Sequence, residues 1–222
     1  SRMNPYIYSQ TEALVGHTGA VLCALYCESA DMFVTGGDDA TIRLWPIHDV
    51  EPDAESGAEE EEEAEEDDVI ARPSAAPQQA QPMVLREHTD RVTGLVAYGS
   101  TIGSVSWDLS IRLWDVGQCI REMKGGEEPK STHVLIDAHD DYILSMAHSP
   151  ELAQIASASA DQGVKLWDLD SEVEPSEDAS SGSLVPEGRK GKLLCGSLVG
   201  HEADVSHVKW NPVHGLWVTG SE

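Results

Sequence analysis

The residues of this chain best equipped for chemistry are a histidine, a hydroxyl and an aspartate, and they come as a set. His17 is followed by Thr35 and Asp39, His88 by Ser104 and Asp108, and His139 by Ser157 and Asp161. A histidine that takes a proton from a hydroxyl while a carboxylate orients its ring is the machinery of a hydrolase. The spacing argues against that use. The aspartate lies 22, 20 and 22 residues after the histidine and four after the hydroxyl, and a tryptophan stands six beyond it, at Trp45, Trp114 and Trp167. A catalytic centre is built once, whereas this four-residue set is built three times, so it reads as structure. A fourth copy opens with His201 and Thr219, and its aspartate would fall one residue past Glu222.

The sets sit in a repeat, which is the first thing to look for in a chain of this kind. Residues 14–47, 83–116 and 135–169 are successive copies, and 191–222 holds an outer strand and a truncated fourth. Runs such as AVLCALY, MFVTGG and TIRLW carry the β-branched and apolar residues of half-buried strands. Gly-Gly, Asp-Asp and Ser-Pro pairs punctuate them as turns. Each copy supplies three strands, and the apolar stretch before the next histidine supplies a fourth. No copy has enough core to stand alone, so neighbours must stack. The expected fold class is all-β.

The copies resemble the WD40 family, through Gly16-His17, Gly200-His201, Trp114-Asp115 and Trp167-Asp168. The resemblance implies a β-propeller of four-stranded blades, here about three complete blades and part of a fourth, open in this chain. Residues 1–13 then read as the end of a preceding blade, and the rest of a propeller is expected to close the ring. The family likeness also implies a hydrogen-bonded network running from tryptophan to hydroxyl to histidine to aspartate inside each blade. It implies that partners dock on the narrow top face, at the residue before each blade aspartate and at two positions opening each innermost strand. Those positions are Ala20, Leu22 and Asp38; Arg91, Thr93 and Trp107; Tyr142, Leu144 and Ala160; and Asp204, Ser206 and Glu222. Trp107 stands out where a small or polar residue is usual. Either Arg91, Trp107 and Tyr142 form a docking patch, or Trp107 packs against a neighbouring blade or insert. Trp, Tyr and Arg are the residue types enriched at interface hot spots.

Three inserts follow the blade tryptophans. Residues 48–82 join an acidic run, with twelve acidic and no basic residues from 51 to 68, to an Ala/Pro/Gln-rich stretch. Residues 170–190 are rich in Ser and Glu. Both are too polar to bury a core and are expected to be disordered on their own. The acidic run is either a solvated linker or a lure for basic partners such as histone tails. Between 117 and 134, CIREMKG reads as an outer strand with extra residues after it, and THVLIDA competes for that role.

A formal charge of −26 repels nucleic acids, whose binders cluster Lys and Arg, so no nucleic-acid partner is expected. No apolar run is long enough for a membrane helix, residues 1–15 do not read as a signal peptide, and no membrane partner is expected. Cys23, Cys27, Cys119 and Cys195 lack zinc or disulfide spacing, which fits a reducing, intracellular setting. The histidines outside the sets (His48, His133, His148, His207 and His214) form no metal constellation. No phosphate loop or other cofactor motif occurs, so neither metal nor cofactor is expected. The function these observations imply is a non-catalytic scaffold that organises other proteins of a large intracellular assembly, cytoskeletal or ciliary in the first reading. A chromatin-associated histone binder, in the nucleus, is the alternative. A ubiquitin-ligase substrate adaptor is a third, for which no residue speaks. A fold of this kind hosts many functions.

Overall fold

The computed structural model describes residues 14–47, 81–173 and 191–221. Four antiparallel sheets follow one another along it. The first contains β1 (Val21–Cys27), β2 (Met32–Gly37), β3 (Ile42–Pro46) and β4 (Met83–Leu85), in that order across the sheet. The second repeats the pattern with β5 (Val92–Tyr98), β6 (Thr101–Ser106), β7 (Ile111–Asp115) and β8 (His133–Leu135). The third has β9 (Ile143–Ser149), β10 (Gln154–Ser159), β11 (Val164–Val173) and β12 (Gly191–Leu198). A hairpin of β13 (Val205–Asn211) and β14 (Leu216–Ser221) begins a fourth. None of the described sheets closes on itself. These are open blades of a β-propeller, as the repeat implied.

The core lies between sheets, which is why no single repeat could fold alone. Val34, Ile42 and Leu44 of the first blade meet Val92, Ile102 and Trp114 of the second. Val105 and Leu113 of the second meet Ile143, Ile155 and Trp167 of the third, and Ala156 and Val164 of the third meet Val205 and Val208 of the fourth. Fully burying each such large apolar side chain contributes roughly 1.5–3 kcal/mol. The innermost strands lie side by side, with β5 packed between β1 and β9, and β9 between β5 and β13. Glycine permits the closest approach: a Cβ on Gly94 would sit 3.1 Å from the backbone nitrogen of Met146 and 2.8 Å from Val105. Side chains also tie these strands, Cys23 Sγ donating to Val92 O at 3.4 Å and Thr93 Oγ1 to Ile143 O at 2.6 Å. Among the described residues nothing covers the outward faces of the first and fourth blades, where Leu22, Phe33, Leu216 and Val218 are exposed. Phe33 is 46% exposed, whereas Ile102 and Ile155 at the same register are fully buried.

Two segments depart from the sequence reading. CIREMKG is not a strand but most of a helix, α1 (Val116–Lys124), and β8 comes from the competing THVLIDA segment. The run from Gln118 to Lys124 holds one β-branched residue among good helix formers. Val116 and Cys119, three apart on one helix face, bury against the core between the first two blades. Asp115 caps the helix by accepting from Gln118 N–H at 2.6 Å, and Arg121 and Lys124 sit in the last turn, where the helix dipole favours cations. The second departure is at residues 170–173, placed in an insert by composition: they lengthen β11, with Val173 paired to Gly191. The acidic run, the Ala/Pro/Gln-rich stretch, residues 174–190 and residues 1–13 lie outside the described residues, and so does the expected disorder of the inserts.

Candidate functional site

The repeated sets are wired alike in three blades. Trp45, Trp114 and Trp167 each donate the indole N–H to the hydroxyl of Thr35, Ser104 or Ser157, at 2.9, 3.0 and 2.9 Å. That hydroxyl is 2.8, 2.8 or 2.7 Å from Nε2 of His17, His88 or His139. The other ring nitrogen, Nδ1, meets Asp39, Asp108 or Asp161 at 2.9, 2.8 and 2.8 Å. In the fourth blade His201 Nε2 and Thr219 Oγ1 are 2.8 Å apart.

Each aspartate also builds the turn between the second and third strands. It accepts backbone N–H from the residue after the histidine (Thr18, Thr89, Asp140) and from the residue two beyond itself (Thr41, Ser110, Gly163). Those bonds hold Ala40, Leu109 and Gln162, the residues just after the aspartates, in left-handed conformations with φ of 59°, 65° and 70°. Left-handed backbone disfavours a side chain, and the aspartate's bonds offset that cost.

Burial alone would raise the three aspartates, but the charge interaction with the histidine at Asp161 and Asp108, and the hydrogen bonds all three accept, outweigh it and hold their carboxyls below the ordinary range. Burial also pushes His88 and His139 down, against the pull of their aspartates. In those two blades the consistent state is a neutral imidazole donating Nδ1–H to a carboxylate and accepting the hydroxyl proton at Nε2. Ser104 and Ser157 are fully buried, so no substrate can reach these oxygens. The sets are satisfied polar networks inside the blades.

A second hydroxyl repeat escaped the sequence reading. Ser106 and Ser159, two residues before the aspartates, donate to Asp90 O and Asp141 O, both at 2.9 Å, and accept N–H from Asp108 and Asp161. Ser221 does the same to Ala203 O at 3.1 Å. Gly37 stands there in the first blade, so the signal was present in three copies and broken in one.

The proposed docking positions lie at one end of the blades, and the backbone gives them the same place in each. Asp38 N–H donates to Ala20 O at 2.9 Å, Trp107 N–H to Arg91 O at 3.2 Å, and Ala160 N–H to Tyr142 O at 2.9 Å. From them the structure assembles a row that spans three blades. Arg91 Nε lies 3.2 Å from Asp38 Oδ1 without a directed hydrogen bond, an ion pair held by charge. Its guanidinium carbon is 4.1 Å from the Trp107 ring centroid, and the Tyr142 ring stacks on Trp107 at 4.3 Å and 13°. Such stacking is worth about 0.5–1.5 kcal/mol beyond area. Tyr142 remains 43% exposed, and the shielded indole N–H of Trp107 has no partner among the described residues. Trp107 therefore does pack against a neighbouring blade, and in doing so joins Arg91 and Tyr142. The remaining positions do not join the row. Thr93 spends its hydroxyl on the next blade, Leu144 is half-buried, Leu22, Ala20 and Asp204 are exposed, Ser206 bonds Gly220 O at 3.4 Å, and Glu222 lies outside the described residues.

The family model for the WD domain, G-beta repeat, matches residues 8–46, 80–115, 129–168 and 192–222. The chain belongs to the WD40 family. WD40 repeats mediate protein–protein interaction, so this part of the protein is a protein-interaction scaffold. The WD40 chain is 27% identical over 198 residues to "Ribosome biogenesis protein WDR12 homolog" of Nematostella vectensis, covering 89% of this chain and 40% of that protein. It is 26% identical to "Mitochondrial division protein 1" of Candida glabrata, covering 72% of this chain and 22% of that one. It is 28% identical to "Coronin-7" of Bos taurus, covering 77% and 15%. The chain thus spans well under half the length of these curated relatives. Among the described residues no group of three or more His, Cys, Asp or Glu is placed to hold a metal ion, and no helix is long and apolar enough to cross a membrane.

Proposed function

We propose that this protein is a non-catalytic scaffold of a multi-subunit assembly inside the cell, and that it receives a partner on the top face over the row of Asp38, Arg91, Trp107 and Tyr142. The observation that carries the reading is the row itself: three hot-spot residue types from two blades, stacked together with Tyr142 left exposed. The repeated His/hydroxyl/Asp sets support a non-catalytic role, because the hydroxyls of Ser104 and Ser157 are sealed within their blades. The apolar outer faces of the first and fourth described blades support a ring completed by further blades.

The test is affinity purification of the full-length protein beside its Trp107→Ala and Tyr142→Ala variants, with folding checked by circular dichroism. Loss of co-purifying subunits from folded variants is expected; an unchanged set of subunits overturns the reading. The names of the relatives point to different settings, ribosome biogenesis in one and mitochondrial division in another. The cytoskeletal or ciliary setting is accordingly a proposal tested by location. Co-fractionation with microtubules or axonemes is expected, and residence with chromatin would favour the histone-binding alternative, to which the acidic run from 51 to 68 lends support.

A further inference from the structure

We infer that the segment received by the top face is cationic, with a Lys or Arg side chain seated on Tyr142 beside Asp140 and Asp141; this rests on the docking reading above. The loops at that end carry seven exposed carboxylates, Asp38, Asp90, Asp137, Asp140, Asp141, Glu202 and Asp204, against two arginines, Arg86 and Arg91. Arg91 is already engaged. Asp38 lies 3.2 Å from its Nε, Asp90 4.0 Å, and its plane rests on Trp107. The row's own cation is therefore balanced on the first-blade side; on the third-blade side Lys165 Nζ donates to Ala138 O at 2.7 Å, and Asp140 and Asp141 stay exposed next to Tyr142 in the chain.

That neighbourhood is held in place. Asp140 N–H is pinned by Asp161 at 3.1 Å, and Asp141 accepts Tyr142 N–H at 2.7 Å while its carbonyl takes the Ser159 hydroxyl at 2.9 Å. The carboxylate of Asp140 makes no bond or ion pair among the described residues. An aromatic face with carboxylates at its edge attracts an ammonium or guanidinium both through the ring quadrupole and through charge. An anionic segment would meet seven like charges. Acidity alone does not single out this end, since Glu28, Glu151 and Asp170 are exposed at the other; the exposed ring of Tyr142 beside Asp140 and Asp141 in the chain does.

The test uses the full-length protein and fluorescein-labelled twelve-residue peptides of alternating lysine and glycine, or glutamate and glycine, with binding read by anisotropy. The lysine peptide is expected to bind and the glutamate peptide not to. Combining Asp140→Asn, Asp141→Asn and Tyr142→Ala is expected to weaken lysine-peptide binding at least about tenfold, or 1.4 kcal/mol. Asp140→Lys with Asp141→Lys, which keeps the aromatic row, should do the same. Deleting residues 51–68 should change binding less than about twofold, because the inferred seat is built from Asp140, Asp141 and Tyr142. Wild-type binding by both top-face variants, or loss of binding with the 51–68 deletion, overturns the inference. If Trp107→Ala sheds its co-purifying subunits while lysine-peptide binding ignores every top-face change, the docking reading stands and the cationic partner falls. If neither responds, both fall.

Discussion

The buried sets and the top-face row are neighbours in sequence: Asp39 follows Asp38, and Asp108 follows Trp107. Their physics is opposite. Within a set every donor and acceptor is matched, the serines are fully buried, and the same geometry recurs in three blades. Within the row the contacts are stacking and charge, the residues differ from blade to blade, and one ring stays open to solvent. A side chain turned inward from the turn meets the same environment in every blade, so its chemistry repeats. One turned outward meets only its neighbours on the face and is free to differ. Repetition marks what holds the blade together, and the break in repetition marks where a partner can be told apart.

The largest effect should come from the most deeply buried member of a set. Trp114→Ala removes a fully buried indole and one of the hydrogen bonds of the Ser104 hydroxyl, and should cost about 3–5 kcal/mol in urea unfolding. A cost under 1 kcal/mol would break the contrast at its strong end. His139→Ala leaves both Ser157 and Asp161 short of a partner and should cost about 1–3 kcal/mol by the same measurement.

Acid should act on the sets before it acts on the row. Folding lowers His88 and His139 below the ordinary value of 6.5, so the unfolded chain takes up protons first as pH falls below it. Stability should therefore decline from about pH 6.5 downward, and decline further near pH 4. From there downward the stabilisation held by the three depressed aspartates is lost, because the unfolded chain's aspartates protonate before the folded ones do. Urea midpoints at pH 7.5, 6.0 and 5.0 measure the first part, and His88→Asn should flatten it; an equal slope in that variant would show that the buried imidazole is not the source.

Trp107→Ala is the matched partner of Trp114→Ala. It gives up one stacked ring and one cation contact at a half-exposed site, about 1–2 kcal/mol. Equal losses for the two tryptophans would erase the distinction between set and row. The smallest effect tests the turn that joins them. Gln162 is exposed and left-handed at φ 70°, so Gln162→Gly should raise stability by up to about 1 kcal/mol in thermal melts. A drop would mean that the Asp161 turn does not carry the strain assigned to it.

The outer strand of the second blade was harder to read than the rest. Inner hairpins carry β-branched residues and fixed spacings, but β8 has three residues, too few for periodicity to register. The helix in front of it has its apolar residues at 116, 119 and 120, a helical spacing that the expectation of a fourth strand in every blade overrode. The second hydroxyl repeat stayed hidden because Gly37 interrupts it in the first copy read.

What the sequence alone determined is the blade. Spacing between histidine, hydroxyl, aspartate and tryptophan is dictated by one hydrogen-bonded path through one sheet, and a path within one repeat leaves its full pattern in that repeat. What only the tertiary structure decided is the row. The repeat gave Asp38, Arg91, Trp107 and Tyr142 equivalent positions, but they come from three blades, and no spacing along the chain says which of them touch. They meet over Trp107 because the innermost strands of neighbouring blades are pressed side by side by the apolar cores between the sheets. Contact across blades is a property of packing, and packing is not written at any single distance along the chain.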